Sequence, residues 1–218
     1  DWSSDVCSSD LVSKDPASMP EGWTYADLAC GIGGFTVAAH VAGGHRRWAC
    51  DTDPGVVRAF NAAHGGDGGA LAVREPIGAR ERWPHLAGVD VVLAGFPCQA
   101  FSTIGARRGF DDARGTVIFD LFEMAAVLRP VALVLECVWG FFQNEEWLHP
   151  TLRAFREIGY GAVVRREEAG DYLPQDRERG MLVLARGDVW PHVVGGLAPL
   201  FLGPSPKRHA SQIGRAHV

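Results

Sequence analysis

The segment VVLAGFPCQAFS, residues 91–102, places Cys98 between a proline and a glutamine directly after an apolar run. Such a run is typical of a strand that is covered on both faces of a sheet, so Cys98 falls on the loop at that strand's carboxyl end. A cysteine there can act as a nucleophile when a nearby cation or helix N-terminus lowers the pKa of its thiol. Because cysteines are also common small core residues, a structural role is the alternative.

Three further side chains are candidates for polar chemistry. Glu136 follows the apolar stretch VALVL, where its carboxyl group could donate a proton, although a solvated glutamate at a strand end is the alternative. Arg177 and Arg179 alternate in QDRERG, so both guanidinium groups are expected on one face. They could hold a carboxylate and a polar base edge, or form surface ion pairs.

A glycine-rich turn supplies a candidate cofactor site. The stretch DLACGIGGF predicts a strand, a turn containing Gly31 and Gly33, and a helix through about Val41, so that backbone N–H groups can approach a ligand. Thr36 stands at the third glycine position of a dinucleotide fingerprint, which is therefore incomplete. Asp51 ends the next predicted strand, where a carboxylate can accept both hydroxyls of a ribose. The pattern suits S-adenosylmethionine (SAM) or NAD, with a purely structural turn as the alternative.

Strands that alternate with helices must position these residues. The alternation predicts an α/β fold with a doubly wound, mostly parallel sheet, in which ligands bind beyond the carboxyl ends of the strands. The stretch HGGDGGA, residues 64–70, is expected to be a flexible loop. Strands are expected at 25–28, 45–51, 89–95, 131–136, 160–168 and 180–186, and helices at 34–41, 54–63, 115–129 and 151–159.

Composition narrows the class of protein. The 218 residues are 47% hydrophobic and 22% charged, without an apolar run that could span a bilayer, so we expect one globular cytoplasmic domain without membrane contact. Five cysteines without regular spacing argue against a disulfide scaffold, and no Cys/His cluster has zinc spacing, so no metal site is expected. The net charge of −5 argues mildly against nucleic-acid binding, yet Arg107, Arg108 and Arg114 follow Cys98 closely enough to form a local patch.

The two ends of the chain require separate treatment. DVCSSDL, residues 5–11, and QIGRAHV, residues 212–218, can be encoded by reverse-complementary DNA that resembles a sequencing-library adapter. We therefore expect an artefactual or disordered segment at 1–20, a catalytic domain at 21–190 and a truncated, disordered tail at 191–218.

Taken in order, these segments resemble the cytosine-5 DNA methyltransferase family. DLACGIGGF resembles its SAM-binding motif, CDTD its ribose acid and GFPCQAFS its nucleophile loop, while RGTVIFD, LECV and PQDRERG resemble later motifs. The resemblance covers about residues 24–185. It implies a Rossmann-like SAM-dependent methyltransferase sheet and methyl transfer from SAM to C5 of cytosine in double-stranded DNA, with the base flipped out of the helix.

The resemblance also implies a role for each candidate residue. Cys98 would add to C6 of cytosine, Glu136 would contact N3, Arg179 would hold O2, and Arg177 would orient the nucleophile loop and the phosphate backbone. In the cofactor pocket, Glu75 would contact the adenine amino group, with Asp67 as the alternative acid. The pocket would use Asp27, Gly31, Gly33, Asp51, Glu75, Pro97 and Val117.

The sequence departs from the family pattern in three places. Ala29 stands where an aromatic residue usually packs on the adenine, and Cys137 replaces the asparagine that braces the nucleophile loop. No target-recognition domain is recognisable after about residue 190. We therefore expect a catalytic core that holds double-stranded DNA weakly and has weak or no activity by itself, with a restriction endonuclease as a further partner in the native system.

Three other functions remain open at this stage. A related cytosine-5 methyltransferase acting on transfer RNA shares the nucleophile loop. A non-catalytic SAM-binding remnant is compatible with Ala29, Cys137 and the missing domain. A thiol redox protein would need a resolving cysteine for Cys98, and Cys137 is the candidate.

Overall fold

The computed structural model describes residues 22–96, 117–171 and 174–193. These ranges contain one sheet with helices on both of its faces. The strands are β1 (Thr24–Leu28), β2 (His45–Asp51), β3 (Ala72–Arg74), β4 (Val91–Gly95), β5 (Ala132–Val138), β6 (Tyr160–Glu168) and β7 (Glu178–Arg186), and the α-helices are α1 (Gly34–Val41), α2 (Pro54–His64), α3 (Val117–Leu128), α4 (Trp139–Gln143) and α5 (Glu145–Glu157). Two 3-10 helices span Arg80–Leu86 and Ala169–Asp171.

The strand order in the sheet is β3-β2-β1-β4-β5-β7-β6. Strands β1 to β5 pair in parallel, whereas β7 runs antiparallel to both of its neighbours. The predicted doubly wound, mostly parallel sheet is therefore confirmed. From β1 the chain builds outward to β2 and β3, and from β4 it builds in the opposite direction. The order reverses between β1 and β4, which is where open α/β sheets bind their ligands.

Side chains of the central strands alternate between two apolar layers. Leu28, Ala94 and Leu135 belong to the larger core, which also contains buried residues from α3, α4, α5 and the 3-10 helix Arg80–Leu86. The opposite face is covered by α1 over β1 and β4 and by α2 over β2 and β3. No helix in the described ranges is long and apolar enough to cross a membrane.

Predicted boundaries agree with the structure to about two residues for most elements, and the exceptions have local causes. Helix α5 begins at Glu145 rather than after Pro150, because the Asn144 side chain caps it by accepting the N–H of Glu146 at 2.9 Å. Pro150 is then tolerated inside the helix. The sequence predictions missed β3, the 3-10 helix Arg80–Leu86 and α4, each of which is seven residues or shorter.

A buried arginine fixes the glycine-rich connection between α2 and β3, which the sequence predicts to be flexible. Arg46 in β2 is 5% exposed, and its guanidinium donates to both carboxylate oxygens of Asp67 at 2.8 Å. It also donates to the carbonyls of Ala70 and His64 and lies 5.0 Å from the centroid of the Phe60 ring. Asp67, the alternative adenine acid, is thus held by Arg46 in a structural contact.

Candidate cofactor-binding and catalytic site

The glycine loop between β1 and α1 has an unusual backbone conformation. Ala29, Gly31 and Gly33 all have positive φ angles, of 53°, 53° and 96° respectively. For Ala29, which has a Cβ, this left-handed conformation costs about 1 kcal/mol. The loop is tied to β2 at two points, because Cys30 N–H donates to the Cys50 carbonyl at 2.9 Å and Gly31 N–H donates to the Asp51 carboxylate at 3.1 Å. The loop is therefore fixed by its neighbouring strand.

The imidazole of His64, at the end of α2, packs directly on this loop. Its Nε2 lies 3.0 Å from the carbonyl oxygen of Ile32, and because that oxygen can only accept, Nε2 carries the proton in this contact. A Cβ placed on Gly33 would lie 2.2 Å from the same nitrogen. Gly33 is thus favoured by its φ of 96°, and a side chain at this position would also displace the imidazole of His64.

Substitution at two adjacent glycines tests this packing. Gly33→Ala should lower the free energy of unfolding by about 1–2 kcal/mol, because alanine is strained in the left-handed conformation and the His64 imidazole must also move away. Gly34→Ala is the matched control: Gly34 starts α1, and an added Cβ would meet no atom within 4 Å, so stability should be equal or slightly higher. Urea denaturation measures both. Equal midpoints for Gly33→Ala and the wild type would contradict the left-handed conformation of this residue.

Asp27 lies beneath the loop and is fully buried in β1. Its Oδ2 accepts the hydroxyl of Thr36 at 2.7 Å, whereas Oδ1 has no hydrogen-bond partner among the described residues. Burial raises the pKa of Asp27 to about 7, and the hydrogen bond from Thr36 only partly opposes this. Asp27 therefore joins the strand before the loop to the helix after it, and its predicted contact with a cofactor stays a prediction.

The raised pKa of Asp27 predicts a specific pH dependence of stability. The folded-state pKa, about 7, lies above the ordinary value of 3.8, so the contribution of Asp27 to stability is fully present below the ordinary value and is lost as the pH rises through about 7. Between about pH 5 and about pH 7, the free energy of unfolding of the wild type should fall by about 2 kcal/mol. The Asp27→Asn variant should not show this fall. The asparagine keeps the acceptor for Thr36. Parallel stability curves in urea across this range would rule out the shift.

Two acids lie at the carboxyl ends of β2 and β3, beside the loop. The Asp51 carboxylate accepts the N–H of Gly31 on one oxygen and the N–H of Asp53 on the other, at 3.1 and 3.0 Å. Glu75 is joined to this position because its N–H donates to the Asp51 carbonyl at 3.0 Å. Each carboxylate oxygen of Asp51 retains a lone pair, so the residues present fit a ribose diol next to the loop.

Near the carboxyl end of β5 and the amino end of the antiparallel β7, the structure brings Glu136 and Arg179 together. Arg179 Nε lies 2.7 Å from Glu136 Oε1, and both side chains are 23% exposed. Glu136 pairs in register with Gly95, where a Cβ would lie 3.4 Å from Glu136 Oε2. The glutamate therefore reaches the end of β4, three residues before Cys98 in the chain.

The other predicted site residues are less closely grouped. Arg177 precedes β7 and is exposed, and its backbone N–H donates to Glu168 at 3.0 Å. Val117 is the first residue of α3 and is partly buried against the larger core. Pro97 and Cys98 lie outside the described residues, as do Arg107, Arg108 and Arg114. The roles assigned to all of these residues stay predictions.

The described cysteines are interior residues. Cys137 is fully buried in the larger core, on the face of β5 opposite to Glu136. Burial raises the pKa of the Cys50 thiol to about 11 and also raises that of Cys30. A resolving cysteine must reach its partner, and the burial of Cys137 therefore disfavours the thiol redox reading.

Three residues with clear contacts in the site were missed by the sequence analysis. Thr36 was considered only as the residue that makes the glycine fingerprint incomplete. A signal for its role was available, because a buried aspartate such as Asp27 needs a hydrogen-bond partner and Thr36 is a nearby donor. His64 was predicted to begin the flexible loop after the second helix, and nothing in the sequence connects it with Gly33. Arg82 contacts Glu75 from a 3-10 helix that the sequence did not predict.

The fold and this set of residues define a class of protein. It is a doubly wound α/β domain with a glycine loop and acidic side chains at the carboxyl ends of its strands, next to the point where the strand order reverses. Within this class, the chain belongs to the C-5 cytosine-specific DNA methylase family, whose sequence model matches residues 23–209.

Individual relatives agree with the family assignment. The chain is 35% identical over 180 residues to the type II methyltransferase M.HpaII of Haemophilus parainfluenzae, covering 78% of this chain and 48% of the relative. It is 30% identical over 173 residues to M.HhaI of Haemophilus parahaemolyticus, covering 77% and 50% respectively. The chain thus spans about half the length of the curated relatives it matches.

A solved structure supports the fold. A DNA modification methyltransferase encoded within an E. coli prophage superposes with a TM-score of 0.63 at 22% identity, over 78% of this chain and 48% of that one. At this level of identity the likeness concerns the fold alone.

Proposed function

We propose that this chain carries the catalytic core of an enzyme that transfers a methyl group from SAM to C5 of cytosine in DNA. The observation that carries the proposal is the ion pair between Glu136 and Arg179. Glu136 is paired in register with Gly95, the last residue of the strand that precedes Cys98 in the sequence. The family and the names of the relatives support DNA as the substrate. This chain spans about half the length of those relatives. We therefore confine the proposal for this chain to the methyl transfer and do not include recognition of a particular DNA sequence.

The cofactor would lie along the carboxyl ends of β1, β2 and β3. When bound, SAM supplies an electrophilic methyl group. The glycine loop would hold the part nearest the reaction, because it borders the crevice between β1 and β4, and Asp51 would accept the ribose hydroxyls with its remaining lone pairs. Glu75, one strand further out, would meet the adenine amino group.

The cytosine would be held on the other side of the same crevice. C5 of cytosine is a weak nucleophile, and addition of the Cys98 thiolate to C6 makes C5 electron-rich enough to attack the methyl group. Glu136 would share a proton with N3 as charge enters the ring, and Arg179 would bind O2. Loss of the C5 proton then permits elimination of Cys98. This geometry requires a base that has left the stacked duplex.

Covalent trapping tests the proposal. In DNA containing 5-fluorocytosine, fluorine replaces the proton that must leave, so an attacking cysteine stays attached to the base. The wild-type chain with SAM should give a DNA adduct on a denaturing gel, and Cys98→Ser should give none. Glu136→Gln should slow adduct formation by about a hundredfold, as expected for loss of a general acid.

Asp188→Asn is the matched control for Glu136→Gln. Asp188 also forms an ion pair with an arginine of β7, Arg186, at the opposite end of that strand, so its loss should leave the trapping rate unchanged. Calorimetric SAM binding without any adduct would favour a non-catalytic SAM-binding protein. An adduct with 5-fluorocytosine in transfer RNA but not in DNA would assign the RNA substrate instead.

A further inference from the structure

Glu75, the acid proposed to meet the adenine, is already held by an arginine. Arg82 Nε donates to Glu75 Oε2 at 2.9 Å, and its terminal nitrogen NH2 lies 2.7 Å from Oε1. The guanidinium thus contacts both carboxylate oxygens. The Glu75 side chain is 19% exposed and that of Arg82 is 47% exposed, so the acid is the more enclosed member of the pair.

The position of Arg82 is set by a well-anchored element. The 3-10 helix Arg80–Leu86 buries Trp83 and Leu86, which are 7% and 3% exposed. The Trp83 indole N–H donates to the Ile77 carbonyl at 3.2 Å, and Arg82 N–H donates to the Ala79 carbonyl at 2.9 Å. The backbone that carries Arg82 is therefore fixed, and its side chain reaches back to the end of β3.

The ion pair constrains how Glu75 can accept another hydrogen bond. An ionised carboxylate has about four acceptor positions, and a guanidinium that contacts both oxygens occupies one on each. One acceptor direction remains on each oxygen, and the carboxylate can no longer rotate freely. Glu75 N–H is at the same time bound to the Asp51 carbonyl, so the backbone and the side chain of this acid are both oriented.

We propose that Arg82 is a positioning residue that aims Glu75 at the exocyclic amino group of the cofactor's adenine, and so sets the preference for a 6-aminopurine. The inference rests on the proposed function, because it requires a nucleoside beside Asp51. Arg82 would then help to determine which purine the cofactor site prefers, although it lies in a 3-10 helix and not in the glycine loop or at a strand end. In this role Arg82 acts through its contact with Glu75.

The same helix provides a matched control. Arg80 lies two residues before Arg82, and it forms an ion pair with Glu123 and lies 5.7 Å from the Trp83 ring centroid. Arg80→Ala therefore removes a second exposed, ion-paired arginine from the same element without touching Glu75. Any general effect on the 3-10 helix should appear in both variants.

The experiment compares two ligands by calorimetry: S-adenosylhomocysteine and its analogue in which hydrogen replaces the 6-amino group. The wild-type chain should bind the amino ligand about tenfold more tightly, as expected for a hydrogen bond to a charged acceptor. Arg82→Ala should reduce this ratio to about threefold or less, whereas Arg80→Ala should keep it. Arg82→Lys keeps the charge without the two-point contact and should give an intermediate ratio.

The outcomes separate the two proposals. If the wild type binds neither ligand, the SAM site of the proposed function fails. If it binds both but Arg82→Ala leaves the ratio unchanged, or if the wild-type ratio is close to one, the positioning role of Arg82 is overturned. The readout is the ratio of the affinities of one variant for the two ligands. A variant that binds both ligands equally more weakly, or that is less stable, would therefore keep the wild-type ratio. Should Arg82→Ala fail to fold, Arg82→Lys decides the question by the same ratio.

Discussion

The parallel pairing of β1 with β4 joins Tyr25–Leu28 to Val91–Ala94, strands that lie far apart in the sequence but end at the same edge of the sheet. From this pair the chain builds the sheet outward in both directions. The loop after β1 and the segment after β4 consequently border one crevice. The remaining strands extend this edge, with Asp51 and Glu75 on one side of the crevice and Glu136 on the other. The pairing of these two strands therefore brings the acidic residues on the two sides of the crevice to one edge of the sheet.

Acidic side chains recur along this edge, and their surroundings give them different properties. Burial raises the pKa of an interior carboxyl group, a carboxylate held by backbone N–H groups remains an acceptor, and those paired with arginines are oriented by the guanidinium. The surroundings of each carboxyl group, more than its residue type, therefore determine its pKa and its capacity to accept hydrogen bonds. The acids and their partners are Asp27 with Thr36, Asp51 with the N–H groups of Gly31 and Asp53, Glu75 with Arg82, and Glu136 with Arg179.

Much of the fold was predictable because its signals are local. Apolar runs defined the central strands, and Asp53 before Pro54 marked the start of α2, where the Asp53 side chain indeed caps the helix. The missed elements are short and lack periodicity, as in β3, where only three residues pair. Within the site, the glycine loop, Asp51 and Glu136 followed from the sequence pattern, whereas Glu75 followed only from the family resemblance. The contacts of His64 and Arg82 did not, since they depend on how separate elements pack in three dimensions.

The ion pair between the buried Arg46 and the more exposed Asp67 has a consequence for how this domain can change. Without Asp67, the guanidinium of Arg46 would be left as an uncompensated charge in the interior, whereas an apolar side chain at position 46 would no longer require the acid. The two positions are therefore expected to vary together, as a linked pair separated by twenty residues. Gly69 is bound to the same pair, because a Cβ there would lie 2.9 Å from the Arg46 side chain. Gly69 is in this way a constrained position within the glycine-rich connection, whereas a Cβ on Gly66 would meet no atom within 4 Å.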